Sequence, residues 1–258
     1  MRKQCICTAA KIGFGVMVLL AQCHTMQAAE IKVLSITVFK KPLDVLGPQF
    51  EQATGHKLVI KYAGSTDVTR LVEAGETFDA ALVWPGMIDR LIKEGKVAAG
   101  SRTDIARAAT AVAVKKGAAK PDISTTDAFK RAMLNAKSVS FSADGESGIY
   151  FKSLLERLGM ADEMKPKLRP VPGGPLVVGP VVKGEVELAV ISVQFILNEP
   201  GAELVGPLPA ELRHFTIYTA GVSATSGQKE AASALIRNIT SPAAAPLIKS
   251  VGLDPVVP

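Results

Sequence analysis

Apolar residues along this chain alternate between two spacings. From residue 31, short apolar or β-branched runs recur: Ile31–Ser35 (IKVLS), Lys57–Tyr62 (KLVIKY) and Ala80–Trp84 (AALVW). Their length and branching predict strands. Between them the spacing widens to that of a helix. Leu43, Leu46 and Phe50 share one helical face, Val68, Leu71 and Val72 a second, and Ile88, Leu91 and Ile92 a third. Gly95 follows the third as a C-terminal cap. The order is β-α-β-α-β, and strands this continuously apolar fit a sheet covered on both faces.

The alternation resumes with a strand predicted at Thr110–Lys116. Pro121-Asp122-Ile123 then leads into Ser124 and Asp127, which have capping-box spacing for a helix through Phe129 and Met133. Ser138–Ser142 reads as a strand. A polar turn, Ala143–Ser147, precedes a helix carrying Ile149, Leu154, Leu155 and Leu158 and stopped by Gly159. The Pro/Gly-rich run Val171–Pro180 reads as a loop, and Glu187–Ser192 and Phe215–Val222 as further strands. Helices are expected over Gln228–Asn238 and from a cap at Ser241, with Pro242 in the first turn. The pattern predicts an α/β chain of two lobes joined by crossings near Thr110 and Phe215. One lobe would comprise residues 30–109 and 216–258, the other residues 110–215.

The first 29 residues break this pattern. Arg2 and Lys3 precede an apolar stretch, Ile12–Ala21, and small residues follow at Ala28-Ala29. That is the order of an export signal, and the stretch is shorter than the roughly 20 residues a permanent span needs. Cleavage near Ala29 and a periplasmic location are expected. Cleavage after Ala29 puts Gln27 three residues before the cut, where a small residue is preferred; the alternatives are a lipid-anchored Cys23, for which Gln22 is large, and an uncleaved anchor.

Removing this leader changes the composition. Cys5, Cys7 and Cys23 leave with it, so no disulfide or cysteine nucleophile is expected in the mature chain and stability must come from packing. Arg2, Lys3 and Lys11 leave as well, and the formal net charge of +6 falls to +3. No basic run interleaved with aromatics remains, which argues against a nucleic-acid partner. The 48% hydrophobic content supports a packed core.

In α/β sheets, ligands gather beyond the carboxyl ends of the strands, where helix N-termini present free N–H groups. Ser35 and Thr37 follow the first strand, Gly64, Ser65 and Thr66 the second, and Ser147 and Gly148 lie beyond Ser142. Hydroxyls and backbone N–H groups converging from two lobes would hold a small anion without a counter-charge. Ordinary helix capping by Ser, Thr or Asp is the competing reading. Trp84, the single tryptophan, either walls a cleft or packs half-buried. Tyr62 and Tyr150 offer either a hydroxyl to a ligand or core packing with a polar tip. Lys40-Lys41 either neutralises a carboxylate or is a solvated pair, and Asp79 and Asp89 read as solvated termini.

The catalytic inventory is thin. Only His56 and His214 lie outside the leader, neither with a second ligand at metal spacing, and no Gly-x-Ser-x-Gly, phosphate-loop or dinucleotide fingerprint occurs. No metal and no cofactor are expected.

Several segments resemble periplasmic solute-binding proteins of the molybdate-binding type: Leu46–His56 (LGPQFEQATGH), Leu71–Asp79 (LVEAGETFD), Ile88–Val97 (IDRLIKEGKV), Lys120–Lys137, Ser147–Gly159 (SGIYFKSLLERLG), Leu204–Glu211 (LVGPLPAE) and Ser241–Pro255. Lys120 to Gly159 is especially similar to the branch that includes aconitate-isomerase-like proteins. The resemblance implies the type 2 periplasmic-binding fold, with a cleft between lobes. It also implies a site using Ser35, Thr37, Gly64, Ser65, Thr66, Ser147 and Gly148. Lys40-Lys41, Trp84, the short Asp144–Ser147 turn and Ile191-Ser192, where many branch members carry Gln-Gln, depart from the family pattern. The implied partners are a small anionic ligand and the permease of an ABC importer, with the protein acting as a monomer. The alternative is a cofactor-free isomerase of an unsaturated polycarboxylate, for which Ser147, Tyr150 and Lys40 are candidate proton-transfer groups.

Overall fold

The computed structural model describes residues 28–256, so residues 1–27 of the expected export leader, with its three cysteines, lie outside the described residues. The chain opens with the expected alternation: β1 (Glu30–Ile36), α1 (Lys40–Thr54), β2 (Lys57–Ala63), α2 (Ser65–Glu73), β3 (Ala80–Val83) and α3 (Pro85–Lys93). β1 pairs in parallel with β2, Ser35 opposite Tyr62, and with β3, Ser35 opposite Leu82. All three strands therefore end on the same edge. Leu43 and Phe50 of α1, Val68 of α2, and Ile88 and Leu91 of α3 are buried in one core, as the helical spacing predicts. Gly95 adopts φ +70°, the left-handed conformation that closes α3.

β4 (Thr103–Lys115) is longer than the sequence pattern suggests. Its first half, with alanines at 106, 108 and 109, is a weak strand signal, and pairing on both sides imposes the conformation. Residues 103–109 pair with β9 (Phe215–Val222), whereas Thr110–Val114 pair with β7 (Leu188–Ser192). β9 in turn pairs antiparallel with β3. One strand thus passes from one group of strands to another at Ala109–Thr110, and β9 returns beside it.

The second group comprises α4 (Thr126–Asn135), β5 (Val139–Ser142), α5 (Glu146–Arg157), α6 (Ala161–Met164), β6 (Leu168–Val171), α7 (Gly179–Lys183), β7, α8 (Val193–Leu197) and β8 (Ala202–Pro207). Strand alternation builds its two cores. Val112, Val114, Leu188 and Val190 face Phe129, Met133, Phe151 and Leu154. Ala111, Ala113, Ala189 and Ile191 face Val177, Val178, Val181 and Ile196. The chain ends with α9 (Lys229–Ile239), α10 (Ala245–Ser250) and β10 (Asp254–Pro255), with Leu235 and Ile248 buried in the first core.

Local chemistry moves several expected boundaries. The cap of α4 is Thr125, whose hydroxyl accepts from the Ala128 N–H at 3.1 Å, while the Ser124 N–H donates to Asp122. Ser241 closes a turn over 241–244 before α10 begins at Ala245. Glu146 and Ser147 belong to the first turn of α5 rather than to the preceding turn. The predicted loop 171–180 contains the end of β6, a 3-10 turn at Gly174–Leu176 and the start of α7. Asp79 is no solvated terminus: its carboxylate accepts from the Lys32 N–H at 2.8 Å and the Ser226 hydroxyl at 2.5 Å, tying three segments together.

Candidate functional site

The turn after β1 begins with Ser35, which is fully buried and donates its hydroxyl to the Ile36 carbonyl at 3.1 Å. Thr37 is exposed and opens a 3-10 turn that ends at buried Phe39. Beyond β2, Gly64 is exposed with extended backbone, and α2 starts at Ser65-Thr66. Beyond β3, half-buried Trp84 caps α3, Pro85 occupies the first helical position, and the indole packs on the first core. Ser35–Thr37, Gly64–Thr66 and Trp84 therefore share one edge of three adjacent parallel strands.

The other contribution comes from α5. Its start is pressed onto the end of β5: a Cβ on Gly148 would lie 1.8 Å from the Ser142 carbonyl oxygen. Only glycine permits this approach. The neighbouring Ser147 is buried at 3% exposure. Ser142 accepts from the Gly145 N–H at 2.9 Å and donates to Asp144, which also accepts from the Gly173 N–H.

Tyr218 of β9 links the two contributions. The Phe39 ring meets it edge-on, centroids 5.6 Å apart. Its buried hydroxyl accepts from Gln194 Nε2 at 2.5 Å. Burial, and secondarily the Glu146 charge, push its pKa upward, while the Gln194 hydrogen bond opposes them. The turn after β1 thus contacts this tyrosine, and Glu146 at the start of α5 acts on it through its charge. Around it lies a polar cluster within otherwise apolar strands. Ser192 and Thr216 hydroxyls are 3.2 Å apart, and Thr110 Oγ1 is 3.1 Å from His214 Nδ1. Polar positions inside Phe215–Val222 were the available sequence signal for this cluster.

His214 and Glu146 are titratable groups that sequence reasoning did not place in the site. His214 Nε2 is 3.9 Å from Glu146 Oε1, and the Tyr150 ring stacks on the imidazole with centroids 4.1 Å apart and planes 13° apart. Burial raises the Glu146 pKa and lowers that of His214. The Tyr150 hydroxyl donates to the Leu212 carbonyl at 2.9 Å and accepts from Arg157, so its polar tip is engaged within the protein. Tyr62 has a buried hydroxyl without a partner, its pKa pushed up to about 12 by burial and by Asp44. Lys40 pairs with Asp44 at 2.8 Å, and Lys41 donates to Asn198 at 2.5 Å. Buried His56 accepts from the Ala29 N–H at 3.2 Å, a structural role.

The lowered His214 pKa has a measurable consequence. The folded protein takes up this proton less readily than the unfolded chain, so stability falls as pH drops below 6.5 and through the folded value. Glu146 acts oppositely: its raised pKa gives stability below 4.5 that is lost as pH climbs through the folded value. His214→Gln is expected to flatten the acid-side decline in urea midpoints measured between pH 5 and 8. An unchanged decline would show that other groups govern it.

Two surface pockets, of about 510 and 460 Å³, lie elsewhere, around Lys120–Asp122 with α4 in one case and with the end of β8 in the other. Neither is lined by a predicted site residue. Among the described residues, no three His, Cys, Asp or Glu side chains gather as metal ligands.

Residues 31–254 match the family model described as bacterial extracellular solute-binding protein. The chain belongs to this family of solute-binding proteins. It is 36% identical over 218 residues to an aconitate isomerase from a Pseudomonas species, with 82% of each chain covered. It is 25% identical over 237 residues to the molybdate-binding protein ModA of Azotobacter vinelandii, covering 88% of this chain and 90% of the relative. The substrate-binding domain of a putative molybdenum ABC transporter from Clostridium difficile superposes with a TM-score of 0.73 at 15% identity, covering 89% of this chain and 100% of that domain. The protein therefore has the type 2 periplasmic-binding fold and is an extracellular solute-binding protein.

Proposed function

We propose that this solute-binding protein captures a small anion, an oxyanion or an organic carboxylate, and delivers it to the permease of an ABC importer. The leader would export it to the periplasm, where it would act as a monomer. Residues 30–109 with 216–258, and residues 110–215, would close on the ligand about Ala109–Thr110 and the start of β9, as hinged lobes do. The observation that supports the reading is that Tyr218 meets Phe39 of the turn after β1 and feels the charge of Glu146 at the start of α5. Donors for the anion would come from Thr37, Ser147 and the N–H groups at the starts of α2 and α5, with Gly64 allowing close approach and Trp84 walling the edge. A dissociation constant near 1 μM needs about −8 kcal/mol. Several charge-assisted hydrogen bonds of ~1.5–3 kcal/mol each supply it.

A second reading, a cofactor-free isomerase of an unsaturated polycarboxylate, is favoured by the 36% identity to an aconitate isomerase and by the Glu146–His214 pair. Such chemistry needs a base beside an acidic carbon and donors for the developing negative charge. One preparation tests both. A thermal-shift panel of molybdate, tungstate, sulfate and di- and tricarboxylates is expected to show one class stabilising the protein, by about 2.7 kcal/mol at one hundred times its dissociation constant. No shift with any anion would sink the receptor. Ultraviolet detection of cis/trans-aconitate conversion that survives dialysis and is lost in Ser147→Ala would select the enzyme.

A further inference from the structure

We infer that Glu146 is a specificity-determining residue that restricts the cleft to anions able to donate a hydrogen bond, namely hydroxylated or partly protonated polycarboxylates, and rejects fully ionised oxyanions such as sulfate and molybdate. This rests on the anion-binding reading above and names the ligand class within it.

The argument begins with hydrogen-bond supply and demand. A dianion such as sulfate offers only acceptors, so a cleft built for it should present only donors. Here the first residue of α5, beside Ser147, carries a carboxyl group. Its side chain is half-exposed, with no lysine or arginine pairing to it among the described residues, and the nearest basic group is His214 at 3.9 Å. Tyr218 faces it from β9. β5 and β7 carry no ionisable side chain, and the acids of α6, Asp162 and Glu163, follow the far end of α5. Lys40 and Lys41 are engaged with Asp44 and Asn198. Nothing built into the fold neutralises Glu146, and burial alone raises its pKa.

A second, independent observation points the same way. Gln194 is 1% exposed and spends its amide N–H on Tyr218, while its Oε1 has no partner. A buried acceptor without a donor is unfavourable, and a ligand hydroxyl or carboxylic acid proton would satisfy it. Two acceptors near Tyr218 therefore await a donor. A fully ionised oxyanion offers neither of them a proton.

The test is calorimetric titration of the purified protein at pH 7 with citrate and trans-aconitate against sulfate and molybdate. Wild type is expected to prefer citrate, which carries a hydroxyl, by about 100-fold or more over trans-aconitate, sulfate and molybdate, which have no proton to donate at pH 7, and Glu146→Gln to narrow that ratio at least tenfold. Glu156→Gln, which removes an exposed acid later in the same helix, should keep the wild-type ratio, separating Glu146 from the net charge of α5. Wild type binding trans-aconitate, sulfate or molybdate as tightly as citrate would overturn the assignment. So would a ratio left unchanged by Glu146→Gln. Either result leaves the anion receptor standing, whereas no binding of any of the four by wild type or variant would remove the anion reading itself.

Discussion

Gly148→Ala is expected to be the most damaging single methyl group in the cleft. The added carbon would sit 1.8 Å from the Ser142 carbonyl oxygen and 2.7 Å from its carbonyl carbon. These are backbone atoms of β5, paired in parallel with β6 and β7. No rotamer change relieves the clash, so the start of α5 must move away from the sheet. Overpacking of this kind costs about 1–3 kcal/mol, more where backbone must shift. The displacement also carries Glu146 and Ser147 with it. Losing one charge-assisted hydrogen bond to the ligand, about 1.5–3 kcal/mol, lowers affinity by roughly tenfold to hundredfold. Thermal unfolding should therefore fall, and titration with the best anion of the panel should weaken beyond what the stability loss explains. A variant with wild-type affinity would show that α5 does not touch the ligand. Ser153→Ala, on an exposed part of the same helix, should change neither.

The architecture was legible in the sequence where one principle governed the residues. Leu43, Leu46 and Phe50, or Ile88 and Leu91, announce helices because one face of each is buried. Phe215–Val222 announces a strand with the observed limits because aromatic and β-branched residues dominate it. The first half of β4 was not legible: alanine favours no sheet, and the strand exists because β9 pairs along it and β10 pairs with Ala106 and Arg107. β6 (LRPV) and β8 (AELVGP) were missed for related reasons, proline and charge masking segments that pair at or beside a sheet edge. The site shows the same division. Ser35, Gly64 and Ser147-Gly148 were legible as candidates because strand-end loops before helices are a local pattern. Glu146, Gln194, His214 and Tyr218 were not, because their meeting depends on β9 lying between β3 and β4, which is a property of strand order. His214 in particular stands alone in sequence, and only folding places it against Thr110, Tyr150 and Glu146.

Phe39→Ala and Phe129→Ala form a matched pair that separates stability from function. Both rings are fully buried, Phe39 in the first core beside Tyr218, Phe129 in the second beneath α4. Each truncation removes a large apolar side chain from a packed interior and is expected to cost about 3–5 kcal/mol. A urea titration should show similar drops for the two. Their effects on ligand binding should differ. Phe39 ends the turn that begins at Ser35 and Thr37 and meets the Tyr218 ring edge-on. Its loss frees both that turn and the tyrosine that the Glu146 end of α5 faces. Phe129 touches neither, and its cavity opens on the opposite side of β4 from α8. At a temperature where both variants remain folded, Phe39→Ala should weaken anion binding about tenfold, a loss of ~1.4 kcal/mol, while Phe129→Ala should bind as wild type does. Equal affinities in the two variants would place the ligand away from Tyr218, and with it the meeting point on which the cleft depends.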